Sequence, residues 1–170
     1  MSKVAIVGTG FIGRAWAVSF ARAGHDVALW DAVATAPAAA LAYIDTILPD
    51  LAENDLLGGA TPAQVRKRMR IASTLEQVLD GSDHIQENTP EDVDVKQRIF
   101  ARLDAAAMPQ AILASSTSAI LPSQFTEALA GRGRCLVVHP LKSALRHPCG
   151  GKWCRHHGHP RRRSNVRPIS

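Results

Sequence analysis

Cysteine is scarce in this chain, and acidic residues are missing altogether from its last thirty positions. The three cysteines, Cys135, Cys149 and Cys154, are odd in number and gathered late. That excludes a secreted disulfide framework and points to a reducing compartment. No apolar run approaches the roughly 18 residues that a membrane span needs. The opening Met1-Ser2-Lys3 followed by Val4-Ala5-Ile6-Val7 reads as a strand rather than a signal peptide. The cytoplasm is therefore the expected location, with no membrane partner. No internal repeat and no low-complexity linker precedes residue 141.

What is there divides into two compositions. The 170 residues, 46% of them hydrophobic, are enough for one domain with a sizeable core. The net charge of +5 would ordinarily suggest nucleic acid as a partner. However, eight of the 20 Lys and Arg lie in residues 141–170, leaving 12 basic against 15 acidic residues in the first 140. The boundary falls after His139-Pro140, with a mildly acidic body on one side and a basic tail on the other.

The body alternates strand-like and helix-like patterns, which predicts an α/β fold with a parallel sheet covered by helices on both faces. Apolar runs predict strands at residues 3–8, 26–30, 71–73, 84–87, 111–115 and 135–139. Helices are expected over 11–23, from 34 to about 57 with a break or kink at Pro49, and over 62–68, 92–107 and 122–130.

Between the first strand and the first helix stands Gly8-Thr9-Gly10-Phe11-Ile12-Gly13. A lone pattern of this kind is equally a Gly-rich structural turn, but here the strand, the helix and an acid are all in place. Gly8 permits the tight turn, Gly10 removes the Cβ that would block a pyrophosphate, and Gly13 lets helix pack on strand. The helix start, with Phe11 and Ile12 in its first turn, offers N–H groups and a partial positive charge to phosphate. Asp31, 18 residues after Gly13 at the end of the second strand, is suited to take the two adenosine ribose hydroxyls. A carboxylate there favours NAD over NADP. The expected fold class is thus a Rossmann-type, doubly wound, mostly parallel sheet.

Four ordered motifs carry a wider resemblance: the glycine fingerprint; His84-Ile85-Gln86-Glu87-Asn88-Thr89-Pro90-Glu91 leading to Lys96; Ala114-Ser115-Ser116-Thr117-Ser118 followed by Leu121-Pro122-Ser123; and Val137-Val138-His139-Pro140. Over residues 3–140 the chain resembles the NAD-binding domain of the 3-hydroxyacyl-CoA dehydrogenases, within the branch containing L-gulonate 3-dehydrogenase (lambda-crystallin) and L-carnitine dehydrogenase. The resemblance implies an NAD-dependent oxidoreductase that converts the 3-hydroxyl of a 3-hydroxyacyl-CoA, or of a related 3-hydroxy acid, to the keto compound. It implies that Glu91 and Lys96 contact NAD on the nicotinamide side. It further implies that Ser118 hydrogen-bonds the substrate's 3-oxygen and that His139 is the general base, a task within the chemistry of an imidazole. Taken alone, Glu91 and Lys96 read as solvated charges, the serines as loop hydroxyls, and His139 as a structural histidine. Ser116 departs from the resemblance, standing where many acyl-CoA members carry Asn.

After Pro140 the pattern departs further. The family continues with Asn-Pro and an apolar strand ending in a glutamate that orients the histidine; that position is Gly151 here, and no such strand is expected. Codons for residues 141–152 read one base later permit Asn-Pro-Pro-Tyr-Ala-Ile-Pro-Val-Val-Glu, the family's own continuation. Residues 141–170 are therefore expected to be a frameshift product and a disordered basic tail, in a truncated member lacking the family's helical C-terminal and dimer-forming domain. Such a chain is expected to be weakly stable, and an NAD-binding module or inactive fragment without turnover is the alternative function. Cys149, Cys154, His156, His157 and His159 lack a second well-spaced ligand pair, so no metal is expected. Arg161-Arg162-Arg163 lacks interleaved aromatics, so no specific nucleic acid is expected.

Overall fold

Strands buried on both faces need continuous apolar runs, and residues 4–7, with Val27, Ala28 and Leu29, supply them next to one another in space. The computed structural model describes residues 1–140 and, as backbone, Lys152–Cys154. It contains, in chain order, β1 (Lys3–Val7), α1 (Phe11–Arg22), β2 (Asp26–Trp30), α2 (Ala36–Glu53), α3 (Pro62–Lys67), β3 (Met69–Ile71), α4 (Leu75–Leu79), β4 (His84–Glu87), α5 (Val93–Ala106), β5 (Ile112–Ser115), α6 (Ser123–Thr126), a 3-10 turn (Arg132–Arg134), β6 (Cys135–His139) and β7 (Lys152–Cys154).

The sheet order is β3-β2-β1-β4-β5-β6-β7. The first six strands pair in parallel, and β7 pairs antiparallel to β6. The chain winds outward from β1 through β2 to β3, then crosses back to lay β4 against the other side of β1. That reversal opens a crevice at the carboxyl ends of β1 and β4, the position at which doubly wound sheets take ligands. Register aligns Val7 with Trp30 on one side and Glu87 on the other, and Glu87 with Ser115. The glycine turn, the end of β4 and the serine loop therefore share one rim.

Helices cover both faces. One core cluster joins α1, α2 and α3 to the sheet through Trp16, Ala17, Ile44, Leu48 and Val65 against Ile6 and Leu29. The other joins α4, α5 and α6 through Leu75, Val78, Phe100, Leu103 and Phe125 against Val7, Ile85 and Leu113. No helix among the described residues is long and apolar enough to cross a membrane.

The structure revises several expectations. The helix over α2 is not broken at Pro49, because the hydrogen bond that proline removes lies on the exposed side while Ile44, Leu48 and Leu51 hold the other side in the core. It ends at Glu53, before Gly58. β3 lies at Met69–Ile71 rather than 71–73, since its register is set by pairing Val27 with Met69. The five-residue α4 was not anticipated, being too short to show a period; its N-terminus is marked by Thr74, whose side chain accepts the Gln77 N–H. α6 is shorter than expected. Beyond Pro140 a short strand, β7, pairs antiparallel with β6; it follows the positions at which the family's apolar strand is expected to be missing, and those positions lie outside the described residues. The rest of residues 141–170, including Gly151, Cys149 and the histidine and arginine clusters, lies outside the described residues.

Candidate active site

The glycines of the fingerprint divide three tasks. Gly8 has φ +89, and a Cβ there would sit 2.8 Å from the Asn88 carbonyl, so the turn must pass close against the end of β4. A Cβ on Gly13 would meet the Gly8 carbonyl oxygen at 2.0 Å, so α1 can lie on the turn only with glycine there. Gly10 differs: nothing lies within 4 Å of where its Cβ would be. It is the N-cap of α1, no side chain caps that helix, and no acid stands in the first turn. The N–H groups of a helix start thus face open space beside an exposed backbone, a donor set suited to an anion. Phe11 is exposed at this mouth and Ile12 half-buried behind it.

Asp31 secures the same turn. Its Oδ2 accepts the Thr9 N–H at 2.7 Å and the Thr9 hydroxyl at 3.0 Å, and its Oδ1 accepts the Val33 N–H at 3.0 Å. The carboxylate stays half-buried at the end of β2, with Oδ1 less heavily used. Thr9 had no role in the sequence reading; its place beside Asp31 comes from the adjacency of β1 and β2.

Across the crevice the contacts are made by side chains. Glu87, at the end of β4, is wholly buried. Its Oε1 accepts from the Thr89 N–H (2.6 Å), the Thr89 hydroxyl (2.5 Å) and Lys96 Nζ (3.0 Å), and its Oε2 from the Ser115 hydroxyl (2.5 Å) and Lys96 Nζ (3.1 Å). Lys96, 1% exposed, reaches this acid from the first turns of α5 and also donates to the Thr89 carbonyl at 3.5 Å. Its ammonium lies 3.7 Å from Glu91 Oε2. Glu91 is 42% exposed at its side chain. Its Oε1 accepts the Thr117 hydroxyl (2.6 Å) and the N–H groups of Ser118 (2.8 Å) and Ala119 (3.0 Å). Burial raises the Glu91 carboxyl, but those three donors, with the nearby Lys96 charge, bring it below its ordinary value.

Glu91 thereby holds the loop that carries Ser118. Ser118 Oγ lies 2.9 Å from His139 Nε2, which projects from the end of β6. Ser118 is exposed and His139 half-buried, so the pair opens to the crevice. Ser116 instead faces inward: its hydroxyl accepts from Trp16 Nε1 (3.0 Å) and Gln86 Nε2 (2.8 Å) and donates to Asn88 Oδ1 (2.7 Å). Asn88 Nδ2 donates to the Gln86 carbonyl at 2.9 Å. At the far end of this chain His84 Nε2 lies 3.1 Å from Gln86 Oε1; burial lowers the imidazole's affinity for a proton, the Gln86 contact opposes that, and the His25 charge adds to it.

The structure therefore groups the sequence-derived residues in two sets, with Gly8, Gly10, Phe11, Ile12, Gly13 and Asp31 in one and Glu91, Lys96, Ser118 and His139 in the other. Sequence reasoning missed Glu87, Ser115 and Thr117, which organise the second set. An acid ending a strand buried on both faces was the available signal.

An uncapped helix start facing open space at the switch point of a doubly wound sheet is the arrangement by which such sheets hold a dinucleotide pyrophosphate, and it places the chain among the Rossmann-type dinucleotide-binding domains. More narrowly, the model of the 3-hydroxyacyl-CoA dehydrogenase NAD-binding domain matches residues 3–146. The chain belongs to that family, and the cofactor of such a domain is NAD. It is 37% identical over 137 residues to L-carnitine dehydrogenase of Pseudomonas aeruginosa and 37% identical over 139 residues to lambda-crystallin of Oryctolagus cuniculus. The alignments cover 81% of this chain in each case, and 41% and 44% of those proteins. The chain thus spans less than half the length of these relatives. Among solved structures, 3-hydroxybutyryl-CoA dehydrogenase of Escherichia coli K12 superposes with a TM-score of 0.76 at 26% identity, covering 83% of this chain and 30% of that one. FadB2 of M. tuberculosis gives 0.75 at 27%, covering 84% and 50%.

Proposed function

We propose that this chain is the cofactor-binding part of an NAD-dependent oxidoreductase that converts the 3-hydroxyl of a 3-hydroxyacyl-CoA, or of a related free 3-hydroxy acid, to a ketone in the cytoplasm. The observation that carries this reading is the 2.9 Å approach of Ser118 Oγ to His139 Nε2 on the side of the switch point away from Asp31. Gly10 and the start of α1 would hold the phosphates of a dinucleotide and Asp31 its adenosine ribose, which leaves the residues at the carboxyl ends of β4 and β5 for the nicotinamide half.

Bound NAD supplies the hydride acceptor. Ser118 holds the substrate's hydroxyl oxygen, and His139 Nε2 takes the hydroxyl proton as the carbon-bound hydrogen leaves with its electron pair. The ketone would form with the hydroxyl proton held on His139 Nε2. Glu91 fixes the Ser118 loop, and Gly10 with the start of α1 receives the phosphates. The fit rests on the open space over Gly10 and the missing cap of α1.

Titration with NADH, followed by nicotinamide fluorescence and repeated with Asp31→Ala, tests the binding. Saturable binding weakened in the variant supports the reading, and no binding by either protein overturns it. NADH formation from a 3-hydroxy substrate that disappears in His139→Ala supports the enzyme. Binding without turnover on any such substrate leaves an NAD-binding module.

A further inference from the structure

Glu87, Lys96 and Glu91 form a chain of charge running from the sheet interior to the crevice. Glu87 is enclosed, Lys96 lies against it at 3.0 and 3.1 Å, and Glu91 emerges on the other side of the ammonium at 3.7 Å. The first two cancel, and the cluster keeps one net negative charge whose exposed end is the Glu91 carboxylate. The donors around it do not change that sum, because the Thr89, Ser115 and Thr117 hydroxyls and the Ser118 and Ala119 amides are all neutral. Glu91 Oε1 is filled by three donors, whereas Oε2 lies 3.7 Å from the ammonium on a side chain that is partly exposed.

The nicotinamide ring is cationic in NAD and neutral in NADH, so a fixed charge beside it acts on one redox form and not on the other. We propose that the Glu87–Lys96–Glu91 cluster, with Glu87 as its buried positioning residue, makes this site discriminate between the two forms of the cofactor in favour of the oxidised one. The inference rests on the dinucleotide reading above and adds to it a specificity that neither glycine turn nor Asp31 can provide, since the adenosine half is the same in both forms. It also accounts for a lysine and a glutamate placed out of water. A buried ion pair adds little stability over well-packed apolar residues, but here it holds Lys96 where it offsets one carboxylate rather than two.

The test compares affinities rather than turnover. Glu87→Gln and Glu91→Gln each remove one negative charge at nearly constant shape. NADH binding is measured by its fluorescence, and NAD binding by competition with NADH. The ratio of the NAD to the NADH dissociation constant is expected to rise several-fold in each variant, as for removal of one nearby unit charge at an effective dielectric of about 20 to 40. Losses of affinity for both forms that leave the ratio within about twofold would mean a purely structural cluster and overturn the proposal. If Glu87→Gln does not fold, Glu91→Gln decides alone, because that side chain stands on an exposed loop. A wild-type chain that binds neither form would instead overturn the dinucleotide reading on which the proposal rests, a result distinct from unequal or equal shifts among binding variants.

Discussion

Beside β2 the crevice is walled by backbone, and beside β5 by side chains. Gly8, Gly10 and Gly13 act by what they lack, and their requirement is steric: two of the three positions have no room for a methyl group. Glu87, Lys96, Glu91, Ser115, Thr117, Ser118 and His139 act by what they carry, and their requirement is mutual satisfaction across four separate segments. The first half is intolerant of added atoms, the second of lost partners. The difference follows from the ligand each half would meet: a phosphate needs amide hydrogens and close approach, whereas a redox reaction needs charge and a proton acceptor in fixed places.

The backbone-walled half is most sensitive at Gly13. Gly13→Ala would drive a Cβ to within 2.0 Å of the Gly8 carbonyl oxygen, a clash that only a shift of α1 or of the turn relieves. The expected destabilisation is about 4 kcal/mol, read as a fall in the urea midpoint. In the other half, Lys96→Met removes the counter-charge of the buried Glu87. The expected cost is about 3 to 5 kcal/mol, and a variant as stable as wild type would show that the pair is dispensable to the fold.

A smaller effect comes from acid. Asp104 on α5 receives Arg134 Nη2 at 2.7 Å and the Gly131 N–H at 3.0 Å, tying the helix to the entry of β6; Arg134 also donates to the Met108 carbonyl. Burial raises the Asp104 carboxyl, but the Arg134 hydrogen bonds and charge with the Gly131 amide bring it below its ordinary 3.8. A depressed carboxyl contributes stability above its unfolded value and loses it as pH falls through the folded one. Stability is therefore expected to drop below about pH 4, and the drop should be shallower in Asp104→Asn when urea midpoints are compared from pH 5 to pH 3.

The smallest effect on stability sharpens the contrast within the glycine turn itself. Gly10→Ala finds open space and should change the unfolding free energy by less than about 0.5 kcal/mol. NADH affinity should nonetheless fall at least about tenfold, the loss expected when about 1.4 kcal/mol of phosphate contact is obstructed. Unchanged affinity would move the phosphate site away from Gly10.

Much of the fold was legible because its signals are local. Apolar runs marked β1, β2, β4, β5 and β6, and a three- and four-residue spacing marked α1 and α5. The departures were non-local: β3 took the register that β2 offered, and α2 passed through Pro49 because core contacts hold its other face. The same division applies to the site. Asp31 and the three glycines announce themselves by position relative to a strand and a helix. Lys96 reads as a surface charge on a helix, and its burial is decided by Glu87, nine residues earlier and at the end of a strand. Ser118 and His139, 21 residues apart, meet only because β5 and β6 are neighbours.

Residues close in the chain are enough to specify the glycine turn, an acid at Asp31 and the alternating architecture, since each depends on local conformational freedom or polarity. The burial of Glu87 against Lys96, the grip of Glu91 on the Ser118 loop and the approach of Ser118 to His139 arise from packing between distant segments. Those contacts join residues that no local rule pairs, and they exist because parallel pairing brings the carboxyl ends of separate strands to one rim.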